Sequence, residues 1–101
     1  MNMQNKVHEV QIQLIDAINA HDELSVKRLL NQGASPNESL DSANVTPLHH
    51  AAQHNATSII RTLLAAGADR GLQTYPDGQT PYDIAHINQH AEAMVLLKCE
   101  S

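Results

Sequence analysis

Histidine is the residue type that first invites a chemical reading of this sequence. Seven occur in 101 residues, and two pairs stand four apart, His50/His54 and His86/His90. On a helix that spacing can set two imidazoles on one face, as zinc motifs on helices require. A closed metal site takes four convergent ligands, and no Cys or Glu accompanies these pairs as in helical metalloprotease motifs. The pair His86/His90 also spans a break in the helical pattern at Gln89-His90. Polarity on an exposed helix face accounts for the same spacing, so no metal and no cofactor is expected. Imidazole titrates near neutrality, which makes a pH response the companion reading. If His50 is buried, protonating it below about pH 6 destabilises the fold.

The carboxylates have local explanations. Asp22 and Glu23 start a helix, where negative charge is favourable. Asp41 and Asp77 fall in turns, where Asp bonds to its own neighbourhood. Serine and threonine are numerous, yet no nucleophile elbow, phosphate loop or dinucleotide fingerprint is present. Catalysis needs a positioned partner group and a pocket, and the sequence points to neither, so the expectation is a protein that is not an enzyme.

Composition narrows the partners. The net charge is -5. The cations Lys6, Lys27, Arg28, Arg61, Arg70 and Lys98 are scattered, which disfavours nucleic acid and anionic membranes. Phe and Trp are absent and Tyr75 and Tyr82 are the only tyrosines, so a core must come from Leu, Ile, Val, Ala and Met. Cys99 stands alone, which leans towards a reducing compartment. Residues 1–10 are polar, without the apolar stretch of a secretory signal, and no run approaches the roughly 18 apolar residues of a spanning helix. The expectation is a cytoplasmic chain.

Self-similarity identifies the elements that carry these residues. Thr46-Pro47-Leu48-His49-His50-Ala51-Ala52 recurs as Thr80-Pro81-Tyr82-Asp83-Ile84-Ala85, a shift of 34 residues. The same shift aligns Leu14, Leu48 and Tyr82, then Ala17, Ala51 and Ala85, Val26, Ile60 and Met94, and Leu29, Leu63 and Leu97. Asp83 takes the slot of His49. Gly33-Ala34 matches Gly67-Ala68, and Asn44 matches Gly78. Each unit reads as two short helices followed by a loop. Thr46 and Thr80 are N-cap candidates, and Pro47 and Pro81 sit at the first helical position, where a missing N–H costs nothing. First helices run to about Ala20, Gln53 and Ile87. Second helices carry the stripes Val26/Leu29/Leu30 and Ile60/Leu63/Leu64, and Gly33 and Gly67 close them in the left-handed conformation. Small residues at 17, 51 and 85 let neighbouring first helices approach. One helix pair cannot hide its apolar face alone, so about three units are needed.

These motifs, above all Thr46-Pro47-Leu48-His49-His50-Ala51-Ala52 with Leu63-Leu64-Ala65-Ala66-Gly67-Ala68-Asp69, resemble the ankyrin repeat family over roughly residues 12–98. The resemblance implies an all-α, helix-turn-helix solenoid with extended hairpin-like loops. It implies one domain, residues 1–101, with repeats at about 10–37, 41–70 and 75–101. Its period of 34 exceeds the usual 33, and the extra residue falls in the loops, whose tips are expected to be reshaped. The first unit lacks Thr-Pro and has Asp16 where His50 and Ile84 stand, and the last ends in Lys98-Cys99-Glu100-Ser101. Both ends read as caps. His49 fills the family's Thr-Pro-Leu-His slot, where its ring is expected to bond Thr46 and fix the turn.

The family is typically an interaction scaffold, so the resemblance implies another protein as partner, held by the loop tips and the first-helix face. The candidate contacts are Leu40, Ser42, Val45, Tyr75, Asp77 and Gln79 in the loops, and Gln53, His54 and Asn88 on the helix face, with Asn19 and Ile87 nearby. Tyr75 leads, because exposed aromatics are favoured binding anchors. Asn55, at a left-handed corner, reads as structural. A chain this short leaves little room for a second activity, so action by occupying a partner is expected, as adaptor, inhibitor or immunity/antitoxin-like protein. A His-mediated metal or pH sensor is the alternative. The chain is expected to be a monomer, or to associate weakly through its end faces.

Overall fold

A computed structural model describes residues 3–98. Six helices follow one another: α1 (Met3–Asn19), α2 (Glu23–Asn31), α3 (Pro47–Gln53), α4 (Thr57–Ala65), α5 (Pro81–Ile87) and α6 (Ala91–Leu97). Among the described residues there is no strand. They pair as α1/α2, α3/α4 and α5/α6, and the pairs stack in order: α1 on α3 on α5, and α2 on α4 on α6. The result is a helix-turn-helix solenoid of 43 × 30 × 25 Å.

The local chemistry explains each boundary. Thr46 and Thr80 are N-caps in extended conformation, each accepting from the backbone N–H three residues on, with Pro in the first turn. First helices end in a left-handed residue at His21 (φ 58°), Asn55 (φ 52°) and Gln89 (φ 60°), which are spaced by the repeat. Asn adopts this region more readily than most residues. Second helices α2 and α4 end at Gly33 (φ 106°) and Gly67 (φ 100°), where a side chain would be strained. Asp22 caps α2 and accepts from the Ser25 N–H and hydroxyl at 3.2 and 2.7 Å. Those two bonds, led by the hydroxyl, hold its carboxyl below the usual range.

The core runs the length of the stack. Leu14, Ile18, Val26, Leu48, Ile60, Leu63 and Leu97 are inaccessible to solvent, and Ala51, Ala52, Ala85 and Ala93 fill the close approaches between them. Each fully buried Leu or Ile contributes roughly 1.5–3 kcal/mol of transfer free energy. Tyr82, in register with Leu14 and Leu48, is only half-buried and stacks its ring on His86, with centroids 6.2 Å apart.

The first unit differs from expectation at its start. Its repeat is expected from about residue 10, whereas α1 already begins at Met3. Without Thr-Pro there is no residue to stop the helix there, and it continues through the region that is loop in the other units. Gln11 consequently lies inside a helix, 2% exposed. Its Nε2 donates to the carbonyls of Ser35 (2.9 Å) and Glu38 (2.8 Å), and its Oε1 accepts from the Ser35 N–H at 2.9 Å. One amide thus pins the loop leading into the second unit. The C-terminal segment Cys99-Glu100-Ser101, read from sequence as part of a cap, lies outside the described residues.

Candidate functional site

The two loops of the stack are joined tip to tip. Asn44, left-handed at φ 55°, donates from Nδ2 to the Gln73 carbonyl at 2.7 Å, and the Tyr75 N–H donates to the Ala43 carbonyl at 2.9 Å. Within the second loop, the Thr74 N–H donates to the Gln79 carbonyl at 2.9 Å, and the Gln79 N–H to Thr74 Oγ1 at 3.1 Å. Tight turns, not paired strands, shape these tips, and the Tyr75-Pro76 bond is cis.

His49 couples this loop to the helices. The ring is 1% exposed. Its Nδ1 accepts from the Thr46 N–H at 3.0 Å and lies 2.7 Å from Thr46 Oγ1, while its Nε2 lies 2.8 Å from the Gln79 carbonyl. A carbonyl only accepts, so Nε2 carries the proton and the ring is neutral. Burial lowers its pKa, against the opposing pull of the carbonyls. The ring thus bonds Thr46 at the start of its own helix and, through Gln79, reaches towards the next unit. In the last unit the slot holds Asp83, which accepts from the Thr80 N–H at 3.0 Å and closes the cap without that reach.

Between the loop tips and the helices lies a groove of about 380 Å³. Val45, Ala43 and Ile84 supply apolar wall, Tyr75 and Asp77 stand at the tip side, and His50, Gln53 and Gln79 complete it, with Thr74 and His49 behind. Tyr75 is 73% exposed. Val45, Tyr75, Asp77, Gln79 and Gln53 from the expected contacts thus converge on one cavity. Leu40, Ser42, His54 and Asn88 do not line it. Leu40 and Ser42 sit on a separate turn, in which Asp41 accepts from the Ala43 N–H at 3.0 Å and the Ser39 hydroxyl donates to the Asp41 carbonyl at 2.7 Å. Asn88 lies just beside the groove and donates from Nδ2 to the Ile84 carbonyl at 2.8 Å and to Gln53 Oε1 at 3.4 Å. Ala43, Thr74 and Ile84 were not among the expected contacts. Ile84 is in register with His50 and Asp16, and that shared position was the available signal.

The histidines separate. His50 is half-buried in the groove wall. Its pKa is lowered, first by burial and then by His54 and His49, with Asp41 acting the other way. His54 caps α3 and meets His21 edge to face, with centroids 5.9 Å apart. The pair His86/His90 does not share a helix, because α5 ends at Ile87 and Gln89 turns left-handed. His90 Nδ1 instead lies 3.0 Å from the Ala52 carbonyl, which ties α6 to the preceding unit. Among the described residues, no three His, Cys, Asp or Glu side chains converge as a metal site would require. No described helix is long and apolar enough to cross a membrane.

Comparison with known proteins agrees with this architecture. Over 84 residues, or 83% of the chain, it is 38% identical to 2-5A-dependent ribonuclease of Mus musculus, of which that stretch is 11%. It is 38% identical to the Homo sapiens protein of the same name over 73% of the chain and 10% of the relative. Its identity to the ARF GTPase-activating protein Git of Drosophila melanogaster is 41%, over 62% of the chain and 8% of the relative. The chain therefore spans about a tenth of the length of the curated relatives it matches. The family model for ankyrin repeats, in three copies, matches residues 14–101. With three stacked helix pairs, two Thr-Pro caps and the His49 latch in place, the chain belongs to the ankyrin repeat family.

Proposed function

We propose that this chain is a protein-binding module that holds one partner in the groove between its loop tips and its first helices. The observation that carries the reading is Tyr75. A large ring stands mostly exposed over a cavity with apolar walls, on a loop pinned through Asn44, Ala43 and the His49 bond to Gln79. Rigid, exposed aromatics beside a pocket are where binding energy concentrates. Ankyrin repeats generally mediate protein–protein interaction, which supports the class of activity. The action is occupancy of the partner, as an adaptor, inhibitor or antitoxin-like protein, in the reducing cytoplasm that suits a lone Cys99.

The test is affinity capture from the native lysate by the parent chain and by Tyr75→Ala. The side chain is exposed, so the variant keeps the fold, which circular dichroism verifies. A protein retained by the parent and weakened by about 1 kcal/mol or more in the variant is the expected result. Equal retention by both would remove Tyr75 and the groove from the binding site.

A further inference from the structure

Charge is segregated along this chain in register with the repeat. Residues 8–21, 35–55 and 71–90, which make up the loop tips and the first helices apart from the start of α1, contain Glu9, Asp16, Glu38, Asp41, Asp77 and Asp83 and neither Lys nor Arg; Lys6, near the start of α1, is the one cation of the first-helix layer. The second helices and their ends, residues 22–34, 56–70 and 91–98, hold Lys27, Arg28, Arg61, Arg70 and Lys98 beside Asp22, Glu23, Asp69 and Glu92. There the charges pair: Lys27 with Glu23 at 3.5 Å and Arg61 with Glu92 at 3.6 Å, while Arg70 donates from Nε to the Leu96 carbonyl at 3.2 Å. The second-helix layer is nearly balanced, whereas residues 35–55 and 71–90, which supply the groove, carry four carboxylates and no Lys or Arg.

The groove sits inside that uncompensated region. Asp77 lines it directly. Asp41 is near enough to bias His50, and Asp83 to bias His49, so two further carboxylates lie in the neighbourhood of the walls made by Val45, Ala43, Ile84 and the Tyr75 ring. Neutral His49 and His50 contribute no balancing positive charge at pH 7.

We infer that the groove takes a basic segment of a partner protein, seating one apolar side chain against Val45, Ile84 and Tyr75 with Lys or Arg beside Asp77 and Asp41. The inference rests on the groove being the binding site. An apolar side chain in a preformed pocket supplies affinity, and flanking opposite charges supply encounter rate and choice of partner. An acidic or nucleic-acid partner meets like charge at Asp77 and no Lys or Arg in the cavity lining. A second copy of this chain, presenting the same face, does too.

The probe is a random twelve-residue peptide library displayed on phage and selected against the intact chain, with enriched peptides synthesised and titrated. The expected peptides carry an apolar residue flanked by Lys or Arg and weaken on raising salt from 50 to 300 mM, as exposed charge pairs do. Asp77→Asn lowers their affinity about two- to fivefold, Tyr75→Ala about fivefold or more, and Glu92→Gln in the second-helix layer leaves it unchanged. Peptides that need Tyr75 but lack basic residues, or ignore Asp77→Asn, overturn the inference and leave the groove as the site. Selected peptides indifferent to Tyr75→Ala, or no enrichment, overturn both. A concentration-dependent dimer dissolved by Tyr75→Ala puts a second copy in the groove and likewise overturns the basic partner.

Discussion

Replacing His49 by Ala removes two interactions at once, and the last repeat provides the matched control. The Thr46 N–H, in a residue that is 1% exposed, loses its acceptor at Nδ1. Leaving a buried donor without a partner costs about 1–3 kcal/mol. The Gln79 carbonyl loses Nε2 but keeps the Thr74 N–H, so that loss is the net value of one hydrogen bond, about 1 kcal/mol. The two losses together come to about 3 kcal/mol, and the packing of a fully buried ring goes as well, so the total is about 3 kcal/mol at the least. Asp83→Ala removes the equivalent cap, where the carboxylate bonds only the Thr80 N–H and both residues are half-exposed. Loss of such a cap costs about 1 kcal/mol. The difference of about 2 kcal/mol at the least isolates burial plus the link between repeats. Urea denaturation followed by far-ultraviolet circular dichroism measures both variants, with unchanged m-values licensing the comparison. Equal costs for His49→Ala and Asp83→Ala would refute the claim that His49 latches one repeat to the next. A small domain has only about 5–15 kcal/mol in total, so the His49 variant should be visibly frayed at 37 °C.

Two further outcomes are expected. Gln11→Ala removes three bonds from a buried amide, of which the Ser35 N–H is the main orphan. It should cost about 2–4 kcal/mol and accelerate amide exchange at Ser35, whereas unchanged exchange would mean the loop is held otherwise. Both His49 and His50 have folded pKa values depressed below the unfolded value of about 6.5. Protonation therefore favours the unfolded chain. Their contribution is fully present above about pH 6.5 and is lost as pH falls towards the folded values, by up to about 1.4 kcal/mol per pH unit for each histidine. His50→Leu should flatten this acid limb of a stability titration, and a limb identical to the parent's would clear His50 of any part in it.

The repeat frame was legible because its signals are local and redundant. Thr46 and Thr80 cap, Pro47 and Pro81 open helices, and Gly33 and Gly67 close them, each for a backbone reason that holds whatever the surroundings. The remainder depends on contacts between units. Gln11 looks like an ordinary polar residue of an amphipathic helix, and only the folded loop shows that its amide is buried against Ser35 and Glu38. Leu40 and Ser42 lie in the same loop as Val45 and share its sequence surroundings. The turn around Asp41 separates them from the groove, a bend set by side-chain to backbone bonds that composition does not order. His86 and His90 share a helical spacing but not a helix, because one left-handed residue, Gln89, intervenes.

The bond from His49 to the Gln79 carbonyl spans 30 residues and ends on the last residue before the next Thr-Pro. Residues 46–79 therefore carry both halves of the latch within a single period. A tandem copy of that segment would meet Val45 in front and Thr80 behind, as the original does, and its internal junction, Gln79 followed by Thr46, would repeat the present Gln79-Thr80 step. The molecule can thus be lengthened by duplication without a new kind of seam, each added copy bringing its own latch and its own Tyr75. Residues 80 onward lack this property, since the Asp83 carboxylate, which accepts from the Thr80 N–H, has no proton to donate to a carbonyl as the His49 ring does. Growth of the binding surface is in this sense a one-segment grammar, with the middle repeat as the only word that can be said twice.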